Sequence, residues 1–159
     1  MTIRRHPLTS SRATPGLRPD LELADRLERS AKACSAPAGG AAPLAALAER
    51  FYERLFARAP QVRPMFPADM TKQREKFAQM LEQVIANLRS ADDLSGPLRE
   101  LGARHVDYGA KPVHYQVVIE EMVGAMRDCG GAAFTAEDAE DWHLALRVIS
   151  ERMIGGPLP

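Results

Sequence analysis

Apolar side chains recur every three or four residues along most of the chain, which is the period of an amphipathic α-helix. No segment shows the sustained alternation that predicts a β-strand. A first helix is predicted from about Pro19 to Cys34, with an apolar stripe of Leu21, Ala24, Leu27, Ala31 and Cys34. Pro43 suits the first position of a second helix, because proline lacks the N–H that a helix start leaves unpaired. Its stripe consists of Leu44, Leu47, Phe51 and Leu55, with Tyr52 and Phe56 beside it.

A proline-rich corner follows the second helix. Three prolines between residues 59 and 67 exclude a long regular helix, so a tight turn or a short 3₁₀ piece is predicted there. This corner presents Met65 and Phe66. A helix of about five turns is then predicted from Met70 to Leu88. Its apolar face consists of Met70, Gln73, Phe77, Met80 or Leu81, Val84 and Leu88, so that Gln73 is the polar member.

Three further helices complete the pattern. The first carries His105 on an apolar stripe with Leu94, Leu98 and Leu101. Pro112 opens the second, whose stripe of Tyr115, Val118, Ile119, Met122 and Met126 ends before Gly130 and Gly131. Thr135 and Asp138 have the spacing of a capping box before the last stripe, which consists of Trp142, Leu146, Ile149 and Met153. The chain is therefore predicted to be all-α, with six substantial helices and no internal repeat.

The length of 159 residues predicts one compact domain. Residues 1–17 are rich in Pro, Ser, Thr and Arg and are predicted to be disordered, which leaves 18–156 as the domain. The basic, acid-free opening also resembles an organelle transit peptide, but it has no apolar face and its prolines interrupt any helix.

Composition excludes several classes of partner. Basic and acidic side chains balance, with 21 of each, so nucleic acid and anionic membranes are not expected partners. No apolar run approaches the roughly 18 residues that span a bilayer, and we expect a cytoplasmic protein. Cys34 and Cys129 form no CxxC pair and are predicted to be free thiols in a reducing compartment, in preference to a disulfide.

Three polar side chains on otherwise apolar faces are the candidates for chemistry. A single histidine on such a face is usually a hydrogen-bonded core residue, and His105 alone indicates little. Gln73 and Tyr52 add two more polar tips, and burying an unpaired amide costs about 1–3 kcal/mol. Together they predict a pocket whose polar contents come from a ligand. The other histidines, His6, His114 and His143, are interpreted as surface residues.

Four segments carry a resemblance to a known family. They are FYERLFARAPQVRPMF (51–66), QREKFAQML (73–81), RHVDYGAKPVHY (104–115) and the segment around Trp142. In this order they resemble the bacterial single-domain haemoglobins and the haem domains of flavohaemoglobins, over roughly residues 43–153. Periodicity alone does not separate a globin from a helical bundle. The resemblance implies a globin fold of about six to eight helices around a pocket for haem b.

The resemblance also implies roles for individual residues. His105 matches the proximal histidine that binds the iron, and Phe66 matches the phenylalanine that packs against the porphyrin. Tyr52 matches the tyrosine that projects toward bound gas, and Gln73 matches the distal-helix position that is often histidine. Phe77 stands where these relatives usually have leucine, and its larger ring would narrow the pocket and slow ligand entry.

Two further positions are less regular. Tyr115 matches the tyrosine that, with a late glutamate, orients the proximal histidine of flavohaemoglobins. The chain has GGPLP where that acid is expected, and Glu151 lies too early to replace it. The resemblance therefore does not imply a strongly electron-donating proximal imidazole. Lys76 is a candidate partner for a haem propionate, although a solvated surface lysine is the favoured interpretation.

Three functions follow as hypotheses. The leading one is reversible binding of O₂ by ferrous haem, with Tyr52 and Gln73 donating hydrogen bonds to the bound gas and with NO and CO as further ligands. The second is NO dioxygenase activity, in which O₂ and NO give nitrate. It requires a separate flavin reductase, because the sequence has no GxGxxG motif. The third is a gas-sensing, redox-sensing or haem-free globin. The expected lack of an attached output domain counts against a self-contained sensor.

Overall fold

The computed structural model describes residues 21–35 and 43–159, apart from the side chains of residues 91–93. Within these ranges there is no β-strand, and the helices are α1 Leu21–Ala33, α2 Ala45–Arg58, α3 Thr71–Ala86, α4 Ser95–Asp107, α5 Pro112–Gly130 and α6 Ala136–Ile154. Three 3₁₀ segments lie between them, at Pro60–Met65, Leu88–Leu94 and Gly131–Ala133. The predicted all-α fold is confirmed. The predicted disordered segment 1–17, with His6, and the predicted helix start at Pro19 lie outside the described residues.

The predicted boundaries of two elements are confirmed by their local chemistry. At the start of α6, Thr135 Oγ1 accepts a hydrogen bond from Asp138 N at 3.1 Å, and Asp138 Oδ2 accepts one from Thr135 N at 2.8 Å. This is the capping box that the sequence predicted. The proline-rich corner is a 3₁₀ segment over Pro60–Met65.

Helix α3 is shorter than the predicted five turns. Met70 precedes its first turn, and Asn87 follows its last residue, where the Asn87 backbone N–H and Nδ2 both donate to Gln83 O, at 3.1 and 2.7 Å. Leu88 therefore belongs to the following 3₁₀ segment. It is nevertheless buried, as the apolar pattern predicted.

The core forms where α2 crosses α5 and α3, and where α6 packs on α5 and α4. Helix α1 closes this core against α6. Trp142, which is 1% exposed, donates through Nε1 to Ser30 Oγ at 2.9 Å, and Arg26 Nε pairs with Asp141 Oδ2 at 2.6 Å. Leu21, predicted as part of the α1 stripe, is 64% exposed. That prediction is wrong because Leu21 begins α1, ahead of the residues that reach α6.

Both described cysteines are free thiols, as predicted. Cys34 is buried and its Sγ donates to Met126 O at 3.4 Å. Burial raises the pKa of the Cys34 thiol to about 12, so it stays protonated and unreactive near neutral pH.

Within the described residues, none of the helices combines the length and the apolar character needed to cross a membrane.

Candidate functional site

Tyr52 and Gln73 form a hydrogen-bonded pair between α2 and α3. Gln73, in the first turn of α3, donates through Nε2 to Tyr52 Oη at 3.0 Å. Tyr52 is only 3% exposed, and burial raises its pKa above the ordinary value, more than the Gln73 hydrogen bond lowers it. The hydroxyl is therefore protonated near neutral pH. Because its oxygen accepts from Gln73, its own O–H remains available as a donor.

Four aromatic rings surround Tyr52. The Phe66 ring meets it edge-on with centroids 5.6 Å apart, and the Phe77 ring lies 5.3 Å from it. Phe77 in turn stacks on Phe51 at 4.8 Å with an interplanar angle of 19°, so its orientation is fixed by the α2–α3 packing. Phe56 contacts both Tyr52 and Phe66. The structure thus brings together four of the predicted site residues: Tyr52, Phe66, Gln73 and Phe77.

Arg63 holds the corner that carries Phe66. Its guanidinium donates to the carbonyl oxygens of Phe66, Pro67 and Ala68 at 3.3, 3.0 and 3.0 Å, and it lies 5.0 Å over the Phe56 ring. Three carbonyls that no helix satisfies are therefore bound by one planar group. The sequence reading missed this role, because an arginine between prolines has no local pattern that predicts its acceptors.

We expect Arg63→Ala to lower the free energy of unfolding by about 2 kcal/mol, because several charge-assisted hydrogen bonds and a cation–π contact are lost at a partly exposed site. Arg63→Lys should recover less than half of this loss, since an ammonium cannot reproduce the fork. Urea denaturation measures both. Arg58→Ala, at an exposed arginine whose side chain makes no hydrogen bond in the described part of the chain, is the control. An equal loss of unfolding free energy in Arg58→Ala and Arg63→Ala would contradict the role of Arg63.

His105 lies near the end of α4 with one ring nitrogen already engaged. Its Nδ1 is 2.8 Å from Leu101 O, one turn earlier. A carbonyl can only accept, so Nδ1 carries a hydrogen, and in the neutral imidazole this tautomer leaves a lone pair on Nε2. The ring is half-buried and lies 6.2 Å from the Tyr108 ring and 6.3 Å from the Tyr115 ring, between centroids.

The residues around Tyr52 are separate from those around His105. We name the first set, Tyr52, Phe56, Phe66, Gln73 and Phe77, the Tyr52 group, and the second set, His105, Tyr108 and Tyr115, the His105 group. Among residues 21–35 and 43–159, no hydrogen bond or ring contact joins them, and α3 and α4 are not among the helix pairs that pack extensively. Their neighbours in sequence come close at one point, where Met65 Cε, next to Phe66, lies 3.9 Å from the position that a Cβ on Gly109, next to Tyr108, would occupy.

Partial exposure distinguishes the predicted site residues on α3 and α4. Gln73, Phe77 and His105 are each half-buried, whereas Ala78 and Leu98 of the same helices are 0% and 5% exposed. The partly exposed sides of α3 and α4 thus carry a phenyl ring, an amide and an imidazole. These residues fit a flat, largely apolar prosthetic group whose metal takes a nitrogen ligand.

The remaining residues discussed in the sequence analysis differ in burial and in their partners. Tyr115 is buried beside His105, but its hydroxyl makes no hydrogen bond within the described ranges. Glu151 contacts neither of them, and its Oε1 accepts from Arg147 Nε and Leu158 N. Lys76 is exposed, and His143 is exposed as predicted, while His114 is half-buried. The propionate role of Lys76 stays a prediction.

One buried ion pair was not predicted. Glu121, 8% exposed on α5, accepts from Arg54 Nε of α2 at 3.0 Å. Gly124 leaves room for this guanidinium, since a Cβ there would lie 2.4 Å from Arg54 Nη2. The pair joins α2 to α5, and removing one partner would leave the other charge partly buried and unpaired at the helix contact on which the position of Tyr52 depends.

A surface cavity of about 520 Å³ lies elsewhere, between α5, α6 and the residues that follow α6. Its lining includes Gln116, Glu120, His143 and Leu144, and none of the predicted site residues contributes to it.

Comparison with known proteins assigns the family. A family model described as Globin matches residues 49–153, which is more than half of the chain. The chain belongs to the globin family. The predicted resemblance is thereby confirmed.

The curated relatives of this globin are longer proteins. It is 29% identical over 109 residues to a flavohemoprotein of Bacillus subtilis, and the match covers 67% of this chain and 27% of that protein. A flavohemoprotein of Rhizobium meliloti is 24% identical over 113 residues, which cover 69% of this chain and 28% of that one. The globin thus spans little more than a quarter of the length of these relatives.

A solved structure shares the fold. The bacterial globin from Campylobacter jejuni superposes with a TM-score of 0.71 at 18% sequence identity, and the match covers 86% of this chain and 94% of that one. At this identity the likeness shows the globin fold alone.

Proposed function

We propose that this globin binds haem b through His105 Nε2 and takes up O₂ reversibly, with NO and CO as further ligands. The observation that carries the proposal is the Gln73–Tyr52 hydrogen bond of 3.0 Å, which leaves a buried tyrosine proton available to a ligand. The relatives named flavohemoprotein support haem as the prosthetic group.

On the proximal side, His105 is prepared as a ligand. The Nδ1–H bond to Leu101 O selects the tautomer whose Nε2 lone pair is free, and it also fixes the plane of the ring. Such outer hydrogen bonds orient histidine ligands and increase their basicity. Phe66 and Phe77 supply apolar surface for the porphyrin and keep water from it.

On the distal side, Tyr52 and Gln73 act as a unit. Gln73 Nε2 donates one of its two hydrogens to Tyr52 Oη, and the second remains available to a ligand. The hydroxyl hydrogen of Tyr52 is also available. The surrounding phenylalanines exclude water, which strengthens any hydrogen bond made there. Haem, when bound, supplies a ferrous iron that holds diatomic gases and places more negative charge on O₂ than on CO. The pair is therefore suited to retain O₂ selectively.

We expect Tyr52→Phe and Gln73→Leu each to accelerate O₂ dissociation roughly tenfold, because each removes a hydrogen bond of about 1–2 kcal/mol. CO dissociation should change much less, since a donor gains little from a ligand with little charge. Stopped-flow measurement of both off-rates tests this. Tyr108→Phe, at a tyrosine that is 63% exposed, is the matched control and should leave both rates unchanged. Equal acceleration of O₂ and CO release would mean that the residues act through size, and would contradict the proposal.

The NO dioxygenase alternative stays a prediction, as does the separate flavin reductase it requires. This activity requires an electron donor, and no contact among the described residues identifies a site for one.

A further inference from the structure

The residues after α6 fold back onto the helix and onto α5. Gly155 ends α6 with a left-handed φ of 70°, and Gly156 N donates to Glu151 O at 3.2 Å. The side chain of Glu151 then binds the returning backbone, because its Oε1 accepts from Leu158 N at 3.3 Å. Residues 155–158, which we name the strap, are held in place by this reversal.

The strap buries one side chain. Leu158 is 8% exposed and forms a small apolar cluster with Tyr115 and Ile119 of α5, each 7% exposed. This cluster is distinct from the main core. Its partly buried neighbours are Ala110, Leu146, Met153 and Ile154.

Tyr115 depends on this packing for its position. Its hydroxyl has no hydrogen-bond partner in the described part of the chain, so apolar contacts alone restrain the ring. The ring centroid lies 6.3 Å from that of His105. The His105 ring is held at Nδ1 by Leu101 O, and the plane of the neighbouring Tyr115 ring lies at 37° to that of the imidazole.

We propose that Leu158, with its backbone held by Glu151, is a positioning residue that fixes Tyr115 beside His105 and thereby sets the orientation of the proximal imidazole. The effect on a bound haem rests on the proposed function, whereas the restraint on Tyr115 does not. The resemblance described in the sequence analysis implies an acid where this chain has GGPLP. Here the side chain of Leu158 restrains Tyr115 by packing, and no hydrogen bond joins the two side chains in the described part of the chain.

The first test measures access to Tyr115 without reference to haem. Tetranitromethane nitrates exposed tyrosines, and mass spectrometry of peptides reports each site. We expect Leu158→Ala to increase nitration of Tyr115 about tenfold, because loss of the leucine lowers the cost of local opening. Exposed Tyr108 and buried Tyr52 are internal references within the same sample. Leu144→Ala, at a leucine that is 54% exposed on α6, is the matched control and should change nothing.

The second test reads the proximal ligand in the haem-loaded ferrous protein. Resonance Raman spectroscopy gives the iron–histidine stretching band, which we expect Leu158→Ala to shift and broaden. Glu151→Ala should act in the same direction, and Glu151→Gln should restore the wild-type band, because the amide keeps an acceptor for Leu158 N. Arg147→Ala removes the other partner of Glu151 and should leave the band unchanged.

Each outcome decides the inference. Increased nitration with a displaced band supports it. Unchanged nitration of Tyr115 in Leu158→Ala would overturn it, and so would increased nitration with an unchanged band, because the strap would then stabilise Tyr115 without orienting His105. If the wild-type protein takes up no haem, the proposed function fails by itself, and the nitration comparison still decides whether Leu158 restrains Tyr115.

Discussion

Replacement of His105 by alanine is expected to abolish stable retention of haem. His105 presents a free Nε2 with its other nitrogen already bound to Leu101 O, and no other described histidine lies on α3 or α4. Removing a residue that merely supports a metal ligand costs about 10–100-fold in affinity, so loss of the ligand itself should exceed roughly a hundredfold. Haem transfer to an excess of apomyoglobin, followed by absorbance, measures the loss rate.

The chain contains a closely matched control. His143 Nδ1 lies 2.8 Å from Ala139 O, the same contact one turn back in its helix, but His143 is exposed on α6. We expect His143→Ala to retain haem as the wild type does. Added imidazole should refill the space in His105→Ala and restore binding. An unchanged ferrous-CO spectrum in His105→Ala without imidazole would show that the ligand has been assigned to the wrong residue.

Gly102→Ala is expected to produce the largest loss of stability. A Cβ on Gly102 would lie 1.9 Å from the carbonyl oxygen of Met153, a backbone atom of α6 that cannot turn aside. Helices α4 and α6 would have to separate, at a cost of about 3 kcal/mol, the upper end for overpacking of a core. Guanidinium denaturation of the apoprotein measures this cost.

The same substitution should disturb the proximal side, because Gly102 lies one turn before His105 on α4. Ala103→Ser adds one atom at the adjacent exposed position and is the control, with an expected change within about 0.5 kcal/mol. A wild-type free energy of unfolding in Gly102→Ala would contradict the close approach of the two helices.

Helix positions and caps were predictable because they depend on neighbours in the sequence. The spacing of Thr135 and Asp138 predicted a cap that the structure confirms, and the three prolines predicted the 3₁₀ corner. The exposure of Leu21 was not predictable, since it depends on where α6 passes. Helix α3 likewise ends at Ala86, although the apolar pattern continues to Leu88.

For the site, the sequence predicted which side chains are unusual but not what they contact. Polar residues on apolar faces singled out Tyr52, Gln73 and His105, and the structure adds the 3.0 Å bond that joins the first two. Gly102 was not singled out from the sequence, because the reason for a glycine there is a carbonyl on α6, about fifty residues away in sequence. Leu158 was part of a string noted only for the acid it lacks. Such contacts between distant segments leave no local pattern.

The most direct test of the central claim is the absorption spectrum of the purified protein after reconstitution with one equivalent of haem. The account predicts an intense band near the blue edge of the visible that shifts on reduction with dithionite and again on addition of CO. Extraction as the pyridine haemochrome should identify haem b. A protein with intact helicity by circular dichroism that leaves the spectrum of free haem unchanged would contradict the account.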